Sequence, residues 1–224
     1  MCGIAGSTNK DTAFKLYQSN LNRGFYSSGS IVLDDLTLWS CKKALGEFKE
    51  PTKPACVPGI HTEGLYYLYH SRGPTVETKG FNEENNHPFF YEDWIVAHNG
   101  IVSNFLQLTK EHYPNQDFAD KTDSCIIPRM LSLFGIDHGP EKLEGTFAFW
   151  AYNVRTNNLY LVRNSCTLFA NLNNGDFSST EFEGSTALEE GKLYSIDFSK
   201  QDSSQGSRIK INCTFNFKSP YFIF

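Results

Sequence analysis

The sequence predicts an α+β domain built on largely antiparallel sheets. Three observations carry that prediction. Residues 208–217 (RIKINCTFNF) alternate strictly, with Ile209, Ile211, Cys213, Phe215 and Phe217 on one face and Lys210, Asn212, Thr214 and Asn216 on the other. That is the period-2 pattern of a half-buried strand. Aromatic residues make up 15% of the chain, a content that favours strands. Strand-like segments also come in runs with helices between them, without the β-α-β alternation that a parallel sheet needs.

In chain order, strands are predicted at 30–40 (SIVLDDLTLWS), 65–70 (LYYLYH), 94–98 (WIVAH), 146–152 (TFAFWAY), 159–162 (LYLV), 193–198 (LYSIDF) and 208–217. Helices are predicted at 12–22, 104–112 and 122–134. The first sets Phe14, Tyr17 and Leu21 on one stripe. The second follows Ser103 or Asn104 as a cap. The third carries Ile126, Ile127, Met130, Leu131 and Phe134, with Pro128 marking either a kink or a later start. Residues 199–207 (SKQDSSQGS) read as linker-like. The stretch beyond them is too short for a second core, so one domain is expected. Its body spans 1–198, and 199–224 supply a loop, a final strand and an apolar tail.

A net charge of −5 with scattered Lys and Arg gives no basic face for nucleic acid. No apolar run approaches the roughly 18 to 20 residues that cross a bilayer. MCGIAGSTNKDT has neither the basic start nor the apolar stretch of a signal peptide. The chain is therefore expected to be cytoplasmic and to have no nucleic-acid or membrane partner. Its six cysteines form no C-x-x-C pair, which argues against zinc and thioredoxin-like sites and for free thiols.

Cys2 stands where trimming of Met1 would give one residue both a thiol and a free α-amine. Such an amine titrates near pH 7.7 to 8.0, about where a general base works best. It can take the thiol proton as an N-terminal threonine uses its own amine; a frayed terminal residue is the plain alternative. His98-Asn99-Gly100 follows an apolar strand. An Asn amide and a Gly N–H there can form an oxyanion hole, although Asn-Gly is also the commonest hairpin turn. Arg72 follows the LYYLYH strand and can grip a carboxylate with two parallel hydrogen bonds, or simply be solvated. Asp123 at a helix start can bind an ammonium group or sit favourably in the first turn. Asn22-Arg23-Gly24, a helix exit, reads as structural support. Together these residues describe hydrolysis of a free amino acid's side-chain amide, with glutamine the obvious candidate.

The order of motifs resembles the glutaminase domain of class II glutamine amidotransferases, the N-terminal-nucleophile group. That group includes the amide-hydrolysing halves of glucosamine-6-phosphate synthase, glutamine phosphoribosylpyrophosphate amidotransferase and asparagine synthetase B. The matching stretches are MCGIAG, NRGFYSSG, HSRGPT, NNHPF, AHNGIVSN, KTDS and LEGTFAFWAYN, spread from residue 1 to about residue 198. The resemblance implies a four-layer αββα sandwich. It makes Cys2 the nucleophile and its amine the base, with Asn99 and Gly100 as oxyanion hole. Arg72 would hold the glutamine α-carboxylate and Asp123 its α-ammonium. Thr75 falls in the family's substrate loop, Arg23 and Gly24 support the Cys2 end, and His98 leads the Asn-Gly pair. No metal or organic cofactor is implied.

Two departures matter. Family members often read Arg-Trp-Ala-Thr-His-Gly, where this chain has Arg72-Gly73-Pro74-Thr75-Val76-Glu77. Family enzymes also usually carry a second domain that uses the ammonia, whereas the pattern here stops near residue 198. The expectation is a stand-alone glutaminase subunit that hands ammonia to a separate synthase. The apolar end, Pro220-Tyr221-Phe222-Ile223-Phe224, would either dock that synthase or pack on its own domain. The alternatives are a free-standing hydrolase of γ-glutamyl or other small amides, and a catalytically idle module that binds glutamine or a protein.

Overall fold

A computed structural model describes residues 1–33, 37–44, 57–58, 66–73, 83–197 and 208–217. The first half of the chain forms β1 (Gly3–Ser7), α1 (Lys10–Asn20), β2 (Ser27–Leu33), β3 (Thr37–Ala44), β4 (Val57–Pro58) and β5 (Tyr66–Arg72). Next come β6 (Phe89–Tyr91), β7 (Trp94–Val102), α2 (Phe105–His112) and α3 (Ile126–Phe134). The remainder comprises β8 (Gly145–Asn153), β9 (Asn158–Asn164), β10 (Phe169–Ala170), β11 (Phe177–Ser178), β12 (Thr186–Ala187), β13 (Lys192–Ile196) and β14 (Ile209–Thr214).

Among the described residues these strands make two antiparallel sheets. One runs β12-β10-β11-β1-β5-β2-β3-β4 and the other β14-β13-β9-β8-β7-β6. The period-2 alternation of strand side chains divides the second sheet between two cores. Ala148, Trp150 and Tyr152 of β8 point between the sheets, where they meet Ile4, Ile31, Tyr66 and Leu68. Phe147, Phe149 and Ala151 point outward, against Phe105 and Leu108 of α2 and Ile126, Ile127 and Met130 of α3. On the far side, Ala13, Phe14, Tyr17 and Leu21 at α1 cover Tyr67 and Tyr69 of β5. The layers are therefore helix, sheet, sheet, helix, as the resemblance implied.

Several elements differ from the sequence expectation. The strand predicted at 30–40 is two antiparallel strands, β2 and β3, with Leu33 opposite Leu38; they flank Asp34-Asp35, a residue type depleted in strands. Helix α1 starts at Lys10, earlier than predicted, because Asn9 caps it by accepting from the Thr12 amide at 2.9 Å. Asn104 precedes α2 without capping it. Its side chain instead donates to the Lys142 carbonyl and accepts from the Glu144 amide. Residues Asp123–Cys125 form a 3-10 turn and α3 begins after it, so Pro128 sits in a first turn that needs no N–H from it.

The strict alternation of 208–217 is broken by a bulge. Leu193 faces Cys213 while Tyr194 faces Ile211, leaving Asn212 as the extra residue. An extra residue reverses the faces beyond it. Ile209 accordingly enters the core between the sheets, Cys213, Phe215 and Phe217 join the helix-side core, and Ile211 is left 54% exposed on an edge strand. Thr75, the 199–207 segment and the apolar tail 220–224 lie outside the described residues.

Candidate functional site

Strand β1 is central in its sheet, with β5 on one side and β11 on the other. Cys2 immediately precedes it, held by short contacts. Arg23 Nε donates to the Cys2 carbonyl at 2.9 Å, and the thiol donates to the Gly73 carbonyl at 3.7 Å. Burial pushes the Cys2 thiol up. The Gly73 contact, the chain's terminal ammonium and Arg72 pull it back, and Asp123 opposes them. Both charged candidates therefore lie within electrostatic reach of the sulfur. With Met1 in place, the Cys2 nitrogen is an amide and cannot serve as a base.

Alternation along β5 explains where Arg72 points. Tyr66 and Leu68 face the sheet interior, and His70 and Arg72 continue that face. Arg72 is 7% exposed, with its guanidinium 5.8 Å from the Tyr26 ring centre. Asp123 accepts from the Val102 amide at 2.6 Å through one carboxylate oxygen.

His98, Asn99 and Gly100 are not a turn. They lie inside β7, opposite Phe149, Ala148 and Phe147 of β8. Ile95 and Ala97 face the core between the sheets, and Asn99 continues that face. The Asn99 side-chain amide nitrogen is buried and has no hydrogen-bond partner among the described residues. Gly100 has φ +130°, a conformation that L side chains rarely adopt, and a Cβ there would run into the Thr146 carbonyl.

His70 was not singled out from the sequence. Its Nε2 donates to the His98 carbonyl at 3.1 Å, and His98 Nδ1 pairs with Ser124 Oγ at 2.9 Å. Because a carbonyl only accepts, the His70 proton sits on Nε2. One short chain of bonds thus joins the neighbours of Arg72, Asn99 and Asp123. Its only sequence trace is that His70 lies two residues before Arg72 on the same strand face.

Burial lowers His70 to about 3, against the donation to His98 that raises it, and burial lowers His98 as well. The folded state therefore refuses a proton that the unfolded chain accepts near pH 6.5. Stability from His70 is complete above about pH 6.5 and is lost as pH falls toward 3, by up to about 1.4 kcal/mol per pH unit. Urea midpoints measured between pH 7 and pH 4 should show this slope, and His70→Gln should flatten it. An equal slope in the variant would remove His70 as its source.

Comparison with known proteins fits this geometry. Residues 78–179 match the family described as "Glutamine amidotransferase domain". The glutamine–fructose-6-phosphate aminotransferase (isomerizing) of Lactococcus lactis is 26% identical over 192 residues, covering 78% of this chain and 31% of that protein. Its counterpart from Aquifex aeolicus is 29% identical over 191 residues, covering 79% and 31%. Among solved structures, the glutamine phosphoribosylpyrophosphate amidotransferase of B. subtilis, complexed with ADP and GMP, superposes with a TM-score of 0.71. It is 16% identical and covers 98% of this chain and 50% of that one. The fold, two antiparallel sheets between helical layers, is that of this amidotransferase structure. Residues 78–179 thus resemble a glutamine amidotransferase domain.

The chain spans about a third of the length of the curated relatives it matches. Among the described residues, no group of three or more His, Cys, Asp or Glu could hold a metal ion. No described helix is long and apolar enough to cross a membrane.

Proposed function

We propose that this domain hydrolyses the side-chain amide of L-glutamine to glutamate and ammonia, with Cys2 as nucleophile once Met1 is removed. The observation that carries the reading is the Asn99 amide. A buried donor without an acceptor costs roughly 1 to 3 kcal/mol, a cost that makes sense if an oxyanion supplies the acceptor during reaction. The freed α-amine takes the thiol proton, and the thiolate attacks the amide carbon. The resulting oxyanion lies against Asn99 Nδ2 and the Gly100 backbone. The same amine then protonates the departing ammonia, and water hydrolyses the γ-glutamyl thioester. Arg72 holds the substrate α-carboxylate and Asp123 its α-ammonium, Arg23 and Gly24 fix the Cys2 end, and Thr75 contributes to substrate binding.

Intact mass before and after treatment with a diazo-ketone mimic of glutamine tests this directly. The expected result is loss of Met1 and one adduct, on Cys2. A processed chain that neither gains an adduct nor releases ammonia from glutamine would overturn the reading.

The fuller proposal is that the ammonia passes to a separate acceptor synthase in a reducing, cytoplasmic setting. It is supported by the relatives, whose printed names describe amino transfer. Mixing with the acceptor should raise the glutaminase rate and divert ammonia from solution. Ammonia appearing in solution in equal amount to glutamate, with the acceptor present, would count against it.

A further inference from the structure

The backbone of Met1 lies against Gly73. A Cβ built on Gly73 would lie 2.8 Å from the Met1 nitrogen and closer still to its carbonyl oxygen. Real Cβ atoms are essentially never found so near. The peptide unit in front of Cys2 therefore fits beside Gly73 only because that position has no side chain, whereas Gly24 is held to glycine first by the backbone of Arg72 and Gly73, which its Cβ would meet before Met1. Met1 is also 75% exposed, so the space its peptide unit takes up lies near the surface.

Chemistry fixes what would take this space. An amide nitrogen leaves as a neutral amine only if it is protonated as the C–N bond breaks. In the reading above, on which this inference rests, the proton comes from the α-ammonium of Cys2. The scissile nitrogen must then approach the atom to which the Met1 carbonyl carbon is bonded here. When Met1 is gone, a carbon substituent on that nitrogen has the room that the Met1 peptide unit occupies.

We infer that the room the Met1 peptide unit occupies beside Gly73 is a leaving-group subsite, and that the processed domain hydrolyses γ-glutamyl amides bearing a small alkyl group on the amide nitrogen. In the acyl step a C–S bond forms between Cys2 and the γ-carbonyl carbon, and the C–N bond breaks. The α-ammonium proton goes to the departing alkylamine. Water then cleaves the thioester, giving glutamate and regenerating the thiol. Gly73 acts through the space it leaves open, and its side-chain hydrogen is the specificity determinant.

The test uses the full chain with Met1 loss verified by intact mass, and reads glutamate from L-glutamine, N5-methyl-L-glutamine and N5-ethyl-L-glutamine. Wild type should process the methyl and ethyl amides with kcat/KM within about tenfold of glutamine, the span one methylene typically commands. In Gly73→Ala, the ratio of substituted amide to glutamine should fall at least about tenfold. Good glutamine turnover with N5-methyl-L-glutamine more than about 100-fold slower in wild type would overturn the inference and leave the glutaminase reading standing. Equal losses on all three substrates in Gly73→Ala would also overturn it. If no substrate is hydrolysed by processed wild type, both readings fall. The wild-type series decides the matter even if the variant does not fold.

Discussion

Cys2→Ala should leave the domain folded and lower glutamine hydrolysis by at least about 10⁴-fold, the scale on which loss of a nucleophile is felt. The two halves of this expectation have separate structural grounds. The side chain precedes β1, and its one hydrogen bond among the described residues is a long thiol contact to the Gly73 carbonyl. The Arg23 bond that holds the segment goes to the Cys2 backbone carbonyl and survives the substitution. Thermal unfolding should therefore stay close to wild type while ammonia release drops to background. Cys2→Ser should be nearly as poor, since a hydroxyl in the same buried setting is a weaker nucleophile. Substantial activity in a properly processed alanine variant would mean that the chemistry lies elsewhere.

Candidate site residues were easier to pick out of the sequence than the scaffold. Cys2, Arg72, Asn99 and Asp123 stand out as candidates because each is a reactive or polar type placed near the end of a recognisable segment. The layers were partly legible, because the near-continuous apolar runs LYYLYH and TFAFWAY fit strands covered on both faces. What escaped were features set by long-range register. Asn-Gly inside β7 reads locally as a turn; only its pairing with Ala148 and Phe147 shows it to be strand. The bulge at Asn212 cannot be seen in an alternating sequence, since it arises from how β14 meets β13. His70 looked like one more residue of an aromatic strand, and its bond to the His98 carbonyl joins residues from different sheets.

The placement of Asn99 inside a strand leads to a second large expected effect. Asn99→Ala should lower kcat by about 10²- to 10³-fold, the usual loss when one oxyanion donor is removed. KM should move little, because the donor is aimed at charge that develops only in the transition state. Stability gives the complementary signal. The amide nitrogen is buried without an acceptor among the described residues, so removing it relieves a desolvation cost that partly offsets the lost packing. The unfolding free energy should change by no more than about 1 kcal/mol. A residue serving only the architecture of β7 would behave the other way, losing stability while kcat persisted. Gly100→Ala would not separate these cases, because its Cβ would meet the Thr146 carbonyl and disturb strand and site together. The paired measurement on Asn99 does separate them: a kcat that collapses on an intact fold assigns the amide to the reaction, and an intact kcat on a weakened fold returns it to the sheet.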